Sequence, residues 1–466
     1  MNAVAELTAA LPHGRVSTGE EDRRAHAHDY WALQAIRDAG GRPVAPPACV
    51  VFPESTDEVA RVLAIADRLR TPIVPFGLGS GVCGGVEPGP DAVVVDLSRM
   101  AALVRVDTHS LTATAQAGLR GSECERLLSE NGVTLGHFPQ SIALSTVGGW
   151  VATRASGQLS TRYGNIEDLV LAIEVVLPGG RVLRTFPAPR AATGPSLREI
   201  FLGSEGTLGI VTEVTFKVSP KPEHQGGFAA RLDGWQDGLE ITREILRAGW
   251  RPAVLRLYDG IEAQRNFAAW CPAQVPLLLV MSEGSEAMRG ALDLELEAAR
   301  AACRRRGGEI LGDEPLHHWL GHRNSVPSWS QLLAAGLVVD TLEVSATWDR
   351  IGPLHERVTE AIRRVPGILA ASGHTSHAYT TGVNIYFTFI GQAKEASEQE
   401  RIYRAAWDTA MEATIACGGS IAHHHGIGRI RRGFLARELG SAGVDVLREV
   451  KRALDPNGIM NPGVLL

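Results

Sequence analysis

The stretch Ser145 to Val170, STVGGWVATRASGQLSTRYGNIEDLV, sets glycines, hydroxyls and a polar cluster between apolar segments, where an ordinary core would place none of them. Gly148, Gly149 and Gly157 let the main chain approach a ligand closely. Ser145, Thr146, Thr153 and Ser156 offer short hydroxyl donors, and Arg154 adds a positive charge. This chemistry suits a large anionic cofactor, with a diphosphate as the natural guest. Taken alone, the same composition also fits a plain connection between a strand and a helix.

A second loop upstream, Pro75 to Gly85 (PFGLGSGVCGG), follows the β-branched pair Ile73 and Val74 and suits the same ligand. Its Gly79-Ser80-Gly81-Val82-Cys83-Gly84 matches the dinucleotide pattern G-x-G-x-x-G, and Asp96 stands near where a ribose-binding acid would be sought. That mechanism needs a helix to begin at the glycines and turn its N-terminus to the pyrophosphate. Here the chain runs on through Gly85-Val86-Glu87-Pro88-Gly89-Pro90, which cannot be helical, so a Rossmann unit is excluded.

Together, PFGLGSG, STVGGWVATRASG, YGNIEDLV and GSEGTLGIVTEVTFKV (Gly203 to Val218) resemble the vanillyl-alcohol-oxidase type of FAD-binding fold, over roughly residues 46 to 218. Adding SATWDR (Ser345 to Arg350) and HHHGIGRIR (His423 to Arg431) extends the resemblance over nearly the whole chain, toward the alkylglycerone-phosphate synthase family and bacterial FAD-linked oxidases. The resemblance implies an α+β architecture: a two-part FAD-binding domain plus an α+β cap domain with an antiparallel sheet. It implies FAD held by Pro75, Gly77, Gly79, Ser80, Gly81, Pro139, Glu205, Gly209 and Ile210 together with the residues of the opening stretch. Covalent members often carry a histidine in the first glycine loop. Gly77-Leu78-Gly79-Ser80-Gly81 has none, so non-covalent FAD is expected.

Chemistry is expected where the second domain meets the flavin, because pockets favour domain interfaces. Tyr386, in Val383-Asn384-Ile385-Tyr386-Phe387, falls where the synthase family has its acid/base tyrosine, although a strand tyrosine is by default a core residue. His137, in Gly136-His137-Phe138-Pro139, matches a functional histidine of that family, but Gln140 stands where those proteins have an acid. His423, His424 and His425 complete the catalytic candidates. Read as a strand, they alternate faces, so at most two converge on one ligand. His374 and His377, in GHTSHAY, could join them around a metal or line the substrate pocket. Related metal-dependent 2-hydroxy-acid dehydrogenases carry an acid where this chain has His424, so proton transfer beside the flavin is the expectation and a metal is not. His318 and His322, four apart without the H-E-x-x-H glutamate, read as structural or solvated.

The resemblance also implies a substrate-phosphate arginine about three helical turns before Asp340-Thr341-Leu342-Glu343-Val344-Ser345. Trp329, or a near neighbour in Val326-Pro327-Ser328-Trp329-Ser330, occupies that place, with Arg323 as a compensating cation. A neutral indole cannot make the bidentate charged contact. The expected activity is therefore an FAD oxidoreductase removing hydride from an alcohol, 2-hydroxy acid or amine carbon to flavin N5, with Tyr386 or His137 as base and oxygen or another acceptor taking the electrons. An ether-lipid synthase without net redox change and a non-catalytic flavin protein are the alternatives.

Composition agrees with such an enzyme. At 466 residues the chain suggests several domains, expected as a helical arm (1–45), the FAD domain (46–220), the cap (221–430) and a returning segment (431–466). A net charge of −6 without long basic runs gives no nucleic-acid or membrane electrostatics. Six cysteines without C-x-x-C spacing argue against zinc modules or a disulfide framework and for a reducing cytoplasm. No signal-like or membrane-length apolar segment is read, and a homodimer is left open.

Overall fold

Residues 3–326 and 328–466 are described by the computed structural model, so Pro327 of the Val326–Ser330 stretch lies outside them. Three short parallel strands, Cys49–Val51, Val93–Asp96 and Ile73–Phe76, lie side by side in that order, with Val16–Ser17 antiparallel on the outer edge. All the residues of Cys49–Val51 and Val93–Asp96 are buried, as expected of parallel strands covered on both faces. One cover is the helix Thr56–Leu69, opened by Ser55, whose hydroxyl accepts the Glu58 N–H at 3.3 Å. Its Val59, Val62, Leu63 and Ala66 recur at helical spacing and are buried. From Gly77 to Ala92 there is no helix, as the prolines and glycines there require.

Five antiparallel strands form the second sheet, in the order Leu103–Asp107, Thr112–Gln116, Ile210–Lys217, Val170–Val176, Val182–Arg184. The two sheets share one core, which includes Val51, Val95, Ala115, Val175, Val214 and Phe216.

The third sheet has seven strands, Glu309–Ile310, His224–Arg231, Leu277–Gly284, Val254–Tyr258, Ile368–His374, Gly382–Gln392 and Leu337–Thr347, each antiparallel to its neighbour. Alternation separates its faces. Leu255, Leu257, Leu278, Val280, Phe387 and Phe389 pack under helices including Trp348–Arg363 and Ala396–Ala416, while Val254, Tyr258, Leu277, Leu279 and Met281 form a smaller core on the other side. Each fully buried side chain of this size contributes about 1.5–3 kcal/mol. The C-terminal segment returns to the first sheet: Ile73 N–H donates to Ile459 O at 2.8 Å and Asn461 N–H to Ile73 O at 2.8 Å. The fold is therefore the α+β arrangement of a vanillyl-alcohol-oxidase-type protein, with an antiparallel cap sheet.

Candidate active site

The two glycine loops meet. A Cβ on Gly77 would collide with Thr146 Oγ1, so the first loop is glycine where it touches the second. Thr146 caps the helix Val147–Thr153 and accepts the Gly149 N–H at 3.2 Å. Gly148 is filled from behind, its Cβ position lying 2.7 Å from Ala117 Cβ. Gly149 differs: a Cβ there would meet only Thr146 Oγ1, at 3.3 Å, a closer approach than most side chains make but with no backbone in the way.

Three of the hydroxyls expected to reach the diphosphate are committed elsewhere. Ser145 donates to Ser141 O (2.9 Å) and accepts from Trp150 Nε1 (2.8 Å), Thr153 donates to Gly149 O (3.0 Å), and Ser156 donates to Asn165 Oδ1 (2.7 Å). They build the loop, as do the amides of Val147 and Gly148, which donate to Leu119 O (3.0 Å) and Ala117 O (2.7 Å). Arg154 has left-handed backbone (φ 55°) and its half-exposed guanidinium pairs with Glu167 at 3.2 Å. A cavity of about 430 Å³ begins beside it and runs past Thr153, Gly203 and Glu205 to Tyr379, His423 and His424. The abutting loops and adjoining cavity fit a flavin dinucleotide.

The histidine run is not a strand. Residues 422–428 form a loop with Gly426 and Gly428 at positive φ (78° and 54°), and a Cβ on Gly428 would collide with the Cys83 carbonyl. Glu205, itself left-handed (φ 50°), holds the loop: its carboxylate accepts Ile427 N–H at 2.7 Å and Gly428 N–H at 2.9 Å. Burial pushes the Glu205 carboxyl up to about 7, against those two bonds.

Two of the three rings converge. The Tyr386 hydroxyl is hydrogen-bonded to His424 Nε2, His424 Nδ1 lies 2.7 Å from His423 Nδ1, and His423 Nε2 lies 2.7 Å from the Tyr379 hydroxyl. His377 stacks on His423 at 5.0 Å and bonds Ser160 Oγ through Nδ1 at 2.7 Å. Burial lowers His423 to about 4 and holds His424 and His377 well below the ordinary imidazole value. Burial, with the Glu343 carboxylate adding to it, pushes the Tyr386 phenol well up. Nitrogens of His377, His423 and His424 come within 4.8 Å of one another, a candidate cation site that is empty. Both nitrogens of His423 and of His424 already have hydrogen-bond partners.

The third ring turns away. His425 Nδ1 lies 2.7 Å from Glu343 Oε2, which also binds the fully buried Arg431 at 2.6 Å, while Glu343 Oε1 accepts the His425 N–H at 2.9 Å. Burial raises the Glu343 carboxyl, but Arg431 and His425 outweigh it and hold it well below the carboxylate range. Strand register places this carboxylate: Tyr386 pairs across with Glu343 on one side and His374 on the other.

His374 stacks on Tyr386 (5.0 Å, 13°) and lies between Glu262, 3.0 Å from Nδ1, and Arg256, 2.5 Å from Nε2. Arg256 also donates to Tyr258 (2.6 Å) and Ser376 (2.7 Å), and no carboxylate binds it directly among the described residues. Arg323 lies over the same Trp319 ring, the two guanidinium carbons 5.6 and 5.5 Å from its centroid, and Arg323 Nη1 is buried without a partner among the described residues. Trp329 packs on Tyr30, with its Nε1 donating to Tyr30 O at 3.1 Å. His137 is fully buried against Trp150, both ring nitrogens lack partners, and burial lowers it to about 3.

Sequence reasoning missed Arg256, Tyr379, Glu343 and Arg431. An arginine inside the apolar alternation of Ala253 to Tyr258, and an acid between buried Leu342 and Val344, were the available signals; Tyr379 had none.

This fold and site define a flavin-dependent enzyme of the FAD-linked oxidase family, to which the chain belongs: residues 47–185 match the FAD binding domain and residues 221–465 the C-terminal domain of FAD linked oxidases. Among its relatives, the chain is similar to the uncharacterized FAD-linked oxidoreductase YgcU of Escherichia coli (strain K12), 36% identical over 90% of this chain and 89% of that protein. It is also similar to the alkyldihydroxyacetonephosphate synthase of Trypanosoma brucei brucei, 32% identical over 99% and 80% of the two chains. A solved alkyldihydroxyacetonephosphate synthase structure superposes with a TM-score of 0.80 at 26% identity, covering 99% of this chain and 84% of that one. FAD is thus the cofactor, and no helix among the described residues is long and apolar enough to cross a membrane.

Proposed function

We propose that the protein is an FAD-dependent oxidoreductase that removes hydride from the carbon bearing a hydroxyl or amine on a small substrate, with Tyr386 taking the proton. The observation that carries the reading is the Tyr386 hydroxyl bonded to His424, a ring that lines the cavity reaching Thr153 and Arg154. A half-buried phenol that resists ionisation does not wait as phenolate. It serves as base by giving its own proton to a neutral imidazole as it receives the substrate's, and His424 Nε2 lies within hydrogen-bond reach to take it. Bound FAD supplies the redox step.

Arg256 favours a 2-hydroxy acid among these substrates. It is a guanidinium without a bound carboxylate, one ring away from Tyr386 through His374, and a substrate carboxylate supplies the missing charge. The chain is expected to act in the cytoplasm on small molecules, with oxygen or another acceptor closing the cycle.

A transferase like the synthases is the second reading, favoured by likeness along 99% of the chain. Against it stands Trp329, packed on Tyr30 where a phosphate-binding arginine is expected. Anaerobic titration with 2-hydroxy acids, alcohols and amines separates the two: lasting bleaching of the flavin supports the oxidoreductase, and turnover of acylated dihydroxyacetone phosphate without it supports the transferase.

A further inference from the structure

The chain of contacts that starts at Tyr386 does not stop at His424. It continues through His423 to Tyr379, and Tyr379 is shared between the flavin-side cavity and a second one of about 350 Å³, lined by Arg162, Arg251, Asp168 and Thr380 among others. Of the four, His424 is buried, and Tyr386, His423 and Tyr379 are partly exposed.

We propose that Tyr386, His424, His423 and Tyr379 form a proton wire that carries the substrate's proton away from Tyr386 to Tyr379, its outer member, and from there to water beside Asn165. The proposal rests on the reading of Tyr386 as the proton acceptor. The hydrogen bonds admit one consistent direction from end to end: the Tyr386 hydroxyl donates to His424 Nε2, His424 Nδ1–H to His423 Nδ1, His423 Nε2–H to the Tyr379 oxygen, and the Tyr379 hydroxyl onward to Asn165 Oδ1 (3.3 Å) or cavity water. Asn165 Nδ2 also donates to the Tyr379 oxygen at 3.0 Å, fixing its position.

When the substrate O–H bond breaks, its proton joins Tyr386 Oη and each member hands its own proton to the next. One proton leaves at Tyr379, and both imidazoles stay neutral, each having exchanged one tautomer for the other. The depressed basicity of both rings suits this, since neither is asked to store charge. Passing the electron pair on to an acceptor such as oxygen takes up one proton, and its inward passage along the same atoms restores the first tautomers.

The test uses FAD-loaded protein with ¹⁵N-labelled histidine and the variant Tyr379→Phe, which keeps the ring and removes only the hydroxyl. Nitrogen NMR is expected to find His424 protonated at Nδ1 and His423 at Nε2, and to find both tautomers inverted in Y379F, because His423 Nε2 has lost its acceptor. With a reducing substrate, flavin bleaching in Y379F is expected to slow on the order of 10²-fold and to lose its curved dependence on deuterium fraction, at unchanged FAD content. His423→Gln, read by the same two measurements, is expected to break the wire one member earlier. Unchanged tautomers together with an unchanged rate in Y379F would overturn the wire. If no substrate bleaches the flavin, the oxidoreductase reading falls, and the tautomers still decide for or against the wire.

Discussion

His423 Nδ1 and His424 Nδ1 face each other at 2.7 Å, so one of these nitrogens carries a proton and the other does not. A shared proton between two neighbouring imidazoles, each tied at its far nitrogen to a tyrosine, ties the tautomer of one ring to that of the other.

Tyr386→Phe removes the phenol that starts this chain and little else, since the ring still stacks on His374. Substrate-dependent flavin reduction should fall by at least about 10²-fold while FAD content and melting temperature stay near wild type. Stopped-flow absorbance on the loaded variant measures it.

The two central glycines of the second loop should fail differently. Gly149→Val presses only on the Thr146 hydroxyl, so it should give folded, colourless protein. Gly148→Val drives into Ala117 and should lower the melting temperature of the apoprotein as well. Circular dichroism with the flavin spectrum separates the outcomes.

Burial lowers His137 from 6.5 to about 3, which makes it a pH-dependent stabiliser. The unfolded chain takes up a proton below the ordinary value and the folded one does not, so the contribution is complete above 6.5 and is lost as pH falls toward 3. Denaturant unfolding of the apoprotein at pH 7.5 and pH 5 should show wild type losing about 2 kcal/mol more than His137→Phe.

Glu343 balances the buried Arg431, so Glu343→Ala should destabilise by about 3–5 kcal/mol by leaving that guanidinium unpaired. Double substitution with Arg431→Met should recover part of the loss.

Much of this was legible in the chain because periodicity and glycine chemistry are local. The prolines of Gly85 to Pro90 exclude a helix after the first loop, and none is there. The strand around Tyr386 and the Ser55 cap likewise follow from neighbours in sequence. What escaped is set by distant partners. The run His423 to His425 reads as a strand by itself and is a loop because two carboxylates far away in sequence bind the amides there, Glu343 that of His425 and Glu205 those of Ile427 and Gly428 just beyond. Arg256 and Tyr379 gain their meaning only from strand register and from a cavity, neither of which a local pattern encodes.

The measurement that tests the account most directly is the anaerobic absorbance spectrum of the FAD-loaded protein before and after a panel of 2-hydroxy acids, alcohols and amines. Persistent bleaching by a 2-hydroxy acid, reversed by an electron acceptor and weakened on substituting Arg256→Gln, is the predicted result. An unchanged spectrum with every member of the panel, alongside product formation from acylated dihydroxyacetone phosphate, would contradict it.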